Sequence, residues 1–237
     1  MTSGPQLDRH VAIVTGGTRG IGLAITRGYV ARGARVVVSG RSREHLDAVA
    51  GEFGEAVAAV QGDVAEPAVA DRLVRTAVER FGGLDSLVNN AGIGKFVNVV
   101  DMQVEDWQRL IATNLTGVFL CSKAAIPALE QRGGGWIINV SSLAGRNSFA
   151  GGAAYCASKA GLNAFAESLM LEVRQRDIRV TTIMPGSVQT SFSAGGDAPE
   201  HDWKLSADDV AQVVFDLLGH SPRSLPSRVE IRPSKPR

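Results

Sequence analysis

The chain has 237 residues, with 25 lysines and arginines against 24 aspartates and glutamates and a net charge of +1. This balance gives no electrostatic basis for binding nucleic acid or an anionic membrane, and no apolar run is predicted to span a bilayer. Two cysteines exclude a disulfide framework and favour the reducing cytoplasm, while four scattered histidines predict no metal site. The length fits one domain over residues 1–237.

Short runs of β-branched residues recur along the chain, and stretches with helical periodicity separate them. Seven strands are predicted: Val11–Val14, Arg35–Val38, Val57–Val60, Ser86–Val88, Trp136–Val140, Arg179–Ile183 and Arg228–Ile231. The early runs are continuously apolar, which is typical of strands covered by helices on both faces.

Apolar residues between the strands recur at the spacing of one helix face. The stripes are Leu46, Val49 and Phe53; Val69, Leu73, Ala77 and Phe81; Trp107, Leu110, Ile111, Leu115, Val118 and Phe119; Leu162, Phe165, Leu169 and Val173; and Val210, Val213, Val214 and Leu217. Pro127 lies late in the third of these helices and predicts a kink or the last turns there. Strict alternation of strand and helix predicts parallel βαβ units and a doubly wound sheet.

A glycine-rich turn, Thr15–Gly22, joins the first predicted strand to the first helix. Glycine allows the backbone to turn tightly and approach a pyrophosphate, and a helix N-terminus offers free N–H groups to phosphate. A P-loop requires Gly-Lys followed by Ser or Thr, which this turn lacks. The glycines alone are also compatible with a simple tight turn, but a strand before them and a helix after them favour a dinucleotide site.

The pattern Thr-Gly-x-x-x-Gly-x-Gly at Thr15–Gly22 resembles the cofactor signature of the short-chain dehydrogenases/reductases. Further motifs of that family follow in order: Asp63-Val64, Asn89–Gly92, Asn114, Ser142, Tyr155 with Lys159, Pro185-Gly186 and Thr190. The resemblance covers nearly the whole chain and is strongest to 3-oxoacyl-[acyl-carrier-protein] reductases. It implies a single-domain, Rossmann-type three-layer α/β/α sandwich with a seven-stranded, mostly parallel sheet.

The resemblance also implies which residues bind the cofactor. Asp63 and Val64 are expected at the adenine, Asn90–Gly92 along the adenosine ribose, and Val188 with Thr190 at the nicotinamide carboxamide. The full expected set is Gly16, Thr18, Arg19, Gly20, Ile21, Gly22, Arg41, Asp63, Val64, Asn90, Ala91, Gly92, Tyr155, Lys159, Pro185, Gly186, Val188 and Thr190.

The end of the second strand indicates which dinucleotide is bound. NAD sites usually place an acidic residue there to hold the ribose hydroxyls. Here Gly40 occupies that place and Arg41 follows, with Arg19 as a second cation inside the glycine turn. Arginine pairs with a 2′-phosphate and a carboxylate would repel it, so NADP(H) is predicted. Arg41 could instead be only a solvated residue before a helix.

Tyr155 and Lys159 are four residues apart and therefore share one helix face. A nearby ammonium favours a phenolate, so Lys159 is expected to lower the pKa of Tyr155. By the resemblance, Tyr155 is the general acid/base, Ser142 holds the substrate oxygen and Lys159 binds the ribose. Asn114 is expected to hold a water that connects Lys159 to solvent.

These features predict an NADP(H)-dependent reductase of ketones or 3-oxoacyl compounds. The alternative is a non-catalytic NADP(H)-binding sensor on the same fold, because fold does not fix function. The resemblance implies that residues 187–205 form a substrate lid, in which Phe192 and Trp203 either face the substrate or belong to the core. The resemblance further implies a homotetramer or dimer packed through the helices that carry Asn114 and Tyr155.

Overall fold

The computed structural model describes residues 5–190, 192 and 203–235, which contain one seven-stranded sheet. Its strands are β1 (Val11–Val14), β2 (Arg35–Gly40), β3 (Val57–Gln61), β4 (Ser86–Asn89), β5 (Gly135–Val140), β6 (Ile178–Pro185) and β7 (Arg228–Ile231). They lie in the order β3-β2-β1-β4-β5-β6-β7, and all six neighbouring pairs are parallel. The seven predicted strands and the parallel sheet are confirmed.

Helices cover both faces of the sheet. They are α1 (Gly20–Val30), α2 (Arg43–Phe53), α3 (Pro67–Phe81), α4 (Val104–Ile111), α5 (Gly117–Gln131), α6 (Ala153–Val173) and α7 (Ala207–Leu218). One hydrophobic core contains side chains of α1, α2 and α7, and a second contains side chains of α3, α5 and α6. In β2, Val36 and Val38 belong to the first core and Val37 to the second, which explains why the strand is apolar at successive positions.

The third predicted helix differs from its sequence pattern. A π-helical turn, Ala112–Thr116, separates α4 from α5 and shifts the phase of the side chains by one residue. The stripe predicted from Trp107 to Phe119 is not continuous: Leu110 is buried, but Trp107 and Phe119 are 43% and 44% exposed. Pro127 lies in the last five residues of α5, as predicted.

The continuous helical stretch Val104–Gln131 is long and apolar enough to cross a membrane by length and composition, contrary to the expectation that no run would be. Core helices of soluble proteins pass the same test. Its second half, α5, packs against α3, β4 and β5. These contacts account for its apolar composition without a bilayer.

A polar network closes the end of the sheet opposite the strand carboxyl ends. The Ser86 hydroxyl is 2.8 Å from both His10 Nε2 and the Tyr29 hydroxyl, and Tyr29 is fully buried. Arg132 Nε donates to Asp85 Oδ1 at 2.8 Å, and Asp85 Oδ2 accepts from the Val11 amide. Burial lowers the pKa of His10 below its ordinary value. This network fixes the start of β1 against β4.

Candidate active site

A cavity of about 750 Å³ lies at the carboxyl ends of the strands, where ligands bind in open α/β sheets. All the residues expected to bind the cofactor line it, from Gly16 in the turn after β1 to Thr190 after β6. Ser142 lines it too, beside Tyr155 and Lys159. The fold therefore brings the separate sequence motifs into one site.

The turn after β1 fits a pyrophosphate. Gly16 and Gly20 have φ values of +63° and +51°, which favour glycine. A Cβ on Gly22 would lie 2.2 Å from the Gly16 carbonyl oxygen and 2.5 Å from Asn90 Nδ2, so no side chain fits there. The first turn of α1 has no acidic residue and no side-chain cap, which leaves its backbone N–H groups available to an anion.

Hydrogen bonds hold this turn against the end of β4. The Thr15 hydroxyl accepts from the amides of Asn90 and Ala91 at 2.9 and 3.0 Å. Asn90 Nδ2 in turn donates to the Thr15 carbonyl at 2.9 Å. The two segments expected at the pyrophosphate and at the adenosine ribose are thus one rigid wall.

The adenosine end of the cavity carries positive charge. Arg19 and Arg41 both line it, and both are exposed. Within residues 5–190, 192 and 203–235, Asp63 is the sole carboxylate among the lining residues, and its Oδ1 accepts from the Ala65 amide at 3.0 Å. Gln61 Nε2 donates to the Arg41 carbonyl at 3.1 Å and so fixes the backbone beside β2.

Lys159 is deeply buried beneath the cavity. Its Nζ donates to the Val140 carbonyl at 2.9 Å and lies 5.9 Å from the centre of the Tyr155 ring. Burial lowers the pKa of Lys159 from 10.5 to about 8. The loop after β5 supplies Ser142, whose Oγ accepts from the Ala144 amide at 3.1 Å.

The pKa of Tyr155 is raised above its ordinary value, mainly by burial, although a hydrogen bond with Ser142 acts in the opposite direction. The expectation that Lys159 lowers this pKa is therefore wrong for the residues of the chain alone. The physical reason is desolvation, which penalises both the phenolate and the ammonium. The raised pKa favours the protonated phenol of Tyr155.

Asn114 lies in the π-helical turn and is fully buried, outside the lining of the cavity. Its amide pairs with the backbone of Ile93 in both directions at 2.9 Å, and Nδ2 also donates to Ser158 Oγ at 3.0 Å. A Cβ on Gly92 would lie 3.4 Å from Asn114 Oδ1 and 3.7 Å from Lys159 Nζ. Asn114 and Lys159 thus flank one point behind Gly92.

Aromatic side chains line the part of the cavity next to Tyr155, and the sequence analysis missed two of them, Phe96 and Phe149. Phe192 and Trp203 were predicted either to face the substrate or to belong to the core, and both line the cavity. A signal was present in the sequence, since Phe96 and Phe149 each follow a strand at its carboxyl end. The spacing of those loops does not show which way their side chains point.

The expected lid, 187–205, is described only at its ends and at Phe192. Residues 191 and 193–202 lie outside the described part of the chain. The two ends are joined, because Gln189 N donates to the Leu205 carbonyl at 2.7 Å and Leu205 N donates to the Ser187 carbonyl at 3.0 Å.

Comparison with known proteins identifies the family and relatives to which the chain is similar. The family model for short chain dehydrogenases matches residues 10–200. A 3-oxoacyl-[acyl-carrier-protein] reductase from Synechocystis sp. is 41% identical over 79% of this chain and 77% of its own length. A 2,5-dichloro-2,5-cyclohexadiene-1,4-diol dehydrogenase from Sphingobium indicum is 38% identical over 80% of this chain and 77% of its own length.

Solved structures of oxidoreductases are also similar to this chain. The closed form of a serine dehydrogenase complexed with NADP⁺ has a TM-score of 0.88, at 31% identity over 93% of this chain and 94% of that one. A metagenomic short-chain oxidoreductase in complex with NADP has a TM-score of 0.84, at 38% identity over 97% of this chain and 100% of that one. The chain is a member of the short chain dehydrogenase family of oxidoreductases.

Proposed function

We propose that this protein is an NADP(H)-dependent oxidoreductase that reduces a ketone or 3-oxoacyl carbonyl to an alcohol, with Tyr155 as the general acid/base. The observation that carries the proposal is the shared cavity, in which a phosphate-binding glycine turn and two arginines lie at one end and Tyr155, Ser142 and Lys159 at the other. The Synechocystis relative, a 3-oxoacyl-[acyl-carrier-protein] reductase, supports carbonyl chemistry.

Each site residue has a distinct task in this scheme. NADPH supplies the hydride. Tyr155 donates its proton to the carbonyl oxygen, and Ser142, hydrogen-bonded to Tyr155, holds that oxygen. Lys159, fixed by the Val140 carbonyl, would bind the ribose hydroxyls of the dinucleotide. Asn114 holds the backbone of Ile93 and steadies the water through which Lys159 exchanges protons with solvent.

The rest of the expected set binds the cofactor. Gly16, Thr18, Gly20, Ile21 and Gly22 would hold the pyrophosphate. Asp63 and Val64 would contact the adenine, Asn90, Ala91 and Gly92 the ribose, and Pro185, Gly186, Val188 and Thr190 the nicotinamide; all of them line the cavity.

Arg41 and Arg19 favour NADP(H) over NAD(H). A charged hydrogen bond contributes about 1.5–3 kcal/mol, so Arg41→Ala is expected to weaken NADPH binding roughly ten- to hundredfold and leave NADH binding nearly unchanged. Arg43→Ala is the matched control, since Arg43 pairs with Asp47 on the surface and does not line the cavity. Fluorescence titration with both dinucleotides measures the effect. Equal affinities of the unmodified protein for NADPH and NADH would contradict the preference.

Catalysis is tested with Tyr155→Phe, which keeps the ring and removes the proton. NADPH consumption is followed over a panel of ketones and β-ketoacyl thioesters, and dinucleotide binding is measured in parallel. We expect binding to persist and turnover to fall by at least about a hundredfold. Unchanged turnover would contradict the role of Tyr155. Binding without turnover of any substrate by the unmodified protein would instead support the sensor alternative.

Two further properties belong to the same proposal. Residues 1–237 form one domain, in which 187–205 act as a lid over the substrate. The protein is a homotetramer that packs through α5 and α6, in keeping with an exposed face of small residues on α6 that includes Ala153, Ala157 and Ala160. Light scattering measures the oligomeric state.

A further inference from the structure

Two phenylalanine rings contact the ring of Tyr155, and a third packs against one of them. The ring centre of Phe96 lies 5.5 Å from that of Tyr155 in an edge-to-face arrangement, and 5.7 Å from that of Phe149. The ring of Phe192 lies 5.8 Å from Tyr155. All three line the cavity, so Phe96, Phe149 and Phe192 form an aromatic wall beside the expected proton donor.

Each ring of this aromatic wall comes from a different loop at the carboxyl ends of the strands. Phe96 follows β4, Phe149 follows β5 and Phe192 follows β6. The first two loops are tied together, because the Val97 amide donates to the Gly151 carbonyl at 2.7 Å. Convergence from three separate segments is not the product of one amphipathic stretch, and it joins three of the eight phenylalanines of the chain.

Glycine makes room for these rings. A Cβ on Gly94 would lie 2.8 Å from Phe192 Cε1 and 3.2 Å from Phe96 Cζ. A Cβ on Gly152 would lie 2.5 Å from two ring carbons of Phe149. The rings of the aromatic wall thus pack directly against the backbone at Gly94 and Gly152, where no side chain would fit.

The rings are packed on one side and open on the other. Phe96, Phe149 and Phe192 are 44%, 47% and 39% exposed, and exposed aromatic surface at a cavity is stabilised by an apolar ligand that covers it. None of the three rings carries a hydrogen-bonding group, so this wall offers nothing to the hydroxyls of a sugar or a polyol.

We propose that the substrate is a ketone whose carbonyl carbon bears a bulky apolar ring, which the aromatic wall binds while the oxygen meets Tyr155. The inference rests on the proposed function. The carbonyl carbon accepts hydride from NADPH and the oxygen accepts the proton of Tyr155. The C=O double bond becomes a C–OH group, and the products are a secondary alcohol and NADP⁺.

A substrate panel tests this class. Acetophenone and cyclohexyl methyl ketone are compared with acetone, dihydroxyacetone and an acetoacetyl thioester, with NADPH consumption as the readout. The ring ketones are expected to have kcat/KM values roughly ten- to hundredfold above that of acetone, because burial of a ring-sized apolar group has an effect of this size. Preference for dihydroxyacetone or the thioester over both ring ketones would overturn the proposal.

Variants of the wall locate the effect. Phe96→Ala and Phe149→Ala are each expected to lower kcat/KM for acetophenone about tenfold more than that for acetone, mainly through KM. Phe96→Leu keeps an apolar side chain and should retain most of the activity. Val78→Ala, which removes an exposed apolar side chain of α3 outside the cavity, is the control and should change neither value.

The results of these assays distinguish a failure of the proposed substrate class from a failure of the proposed function. If no carbonyl compound is reduced, the proposed function fails. If carbonyls are reduced but the Phe96 and Phe149 variants lose acetone and acetophenone activity equally, the function stands and the aromatic wall is not the substrate-binding surface.

Discussion

Replacing Lys159 with Met removes a buried charge from the centre of the site. Methionine has a similar length and is apolar, so packing is largely kept while the ammonium is lost. Burial lowers the pKa of Lys159 from 10.5 to about 8. A shift of this size corresponds to about 3 kcal/mol by which folding disfavours the charged form relative to the neutral one. The replacement is therefore expected to raise the free energy of unfolding at neutral pH.

The sign of the pH dependence follows from the two protonation states. Below pH 8 Lys159 is charged in both the folded and the unfolded chain, and the folded protein carries the full desolvation penalty. Between pH 8 and 10.5 the folded protein releases the proton and the unfolded chain keeps it, so the free energy of unfolding rises with pH. Methionine does not titrate, so Lys159→Met lacks this contribution to the pH dependence of the free energy of unfolding.

Urea unfolding of both proteins at several pH values measures the effect. We expect the difference in unfolding free energy, unmodified protein minus Lys159→Met, to increase by about 2.5 kcal/mol from pH 7 to pH 10. Because both proteins share every other titrating group, those contributions cancel. A difference that stays constant over this range would refute the assignment of Lys159 as a buried, desolvated ammonium.

Two other substitutions test the cofactor turn and the polar network. Gly22→Ala should abolish dinucleotide binding in titration, because its Cβ would lie 2.2 Å from the Gly16 carbonyl oxygen. Gly51→Ala, in α2 with nothing within 4 Å of the new methyl group, should leave binding unchanged, and equal binding by both variants would contradict the steric argument. Ser86→Ala should lower the free energy of unfolding by about 1–3 kcal/mol, because it leaves the fully buried Tyr29 hydroxyl without its Ser86 partner. Urea unfolding measures this change, and an unchanged free energy of unfolding would show that the network contributes nothing to stability.

The order of strands and helices was predictable because buried parallel strands are apolar at nearly every position. Val36, Val37 and Val38 contribute to two different cores, and such a run leaves little choice of secondary structure. Strand ends were less predictable. β2 extends through Ser39 and Gly40, whose polar or small side chains carry no strand signal in a single sequence.

The residues that line the cavity at the glycine turn and at the strand ends were predictable, because glycines and strand ends carry local sequence signals. The π-helical turn was not, since the hydrogen bond that its Asn114 accepts from the Ile93 amide joins residues 21 positions apart, beyond the reach of a local sequence pattern. The direction of the Tyr155 pKa was also missed, because desolvation depends on burial, which helical spacing alone does not show. Phe96 and Phe149 were missed because a loop sequence does not show which way its side chains point.

The π-helical turn at Ala112–Thr116 has a consequence for altered lengths of this chain. Each residue of an α-helix turns the next by about 100°. The turn holds one residue more than a regular helix, so deleting one residue from it would restore a regular α-helix and keep the downstream side chains facing the sheet, whereas a deletion inside α5 would rotate every later side chain by that angle. A deletion between Gly117 and Cys121 would thus turn the buried Cys121 and Ala125 away from the sheet, so the helix should tolerate the loss of one residue at the π-helical turn but not beyond it.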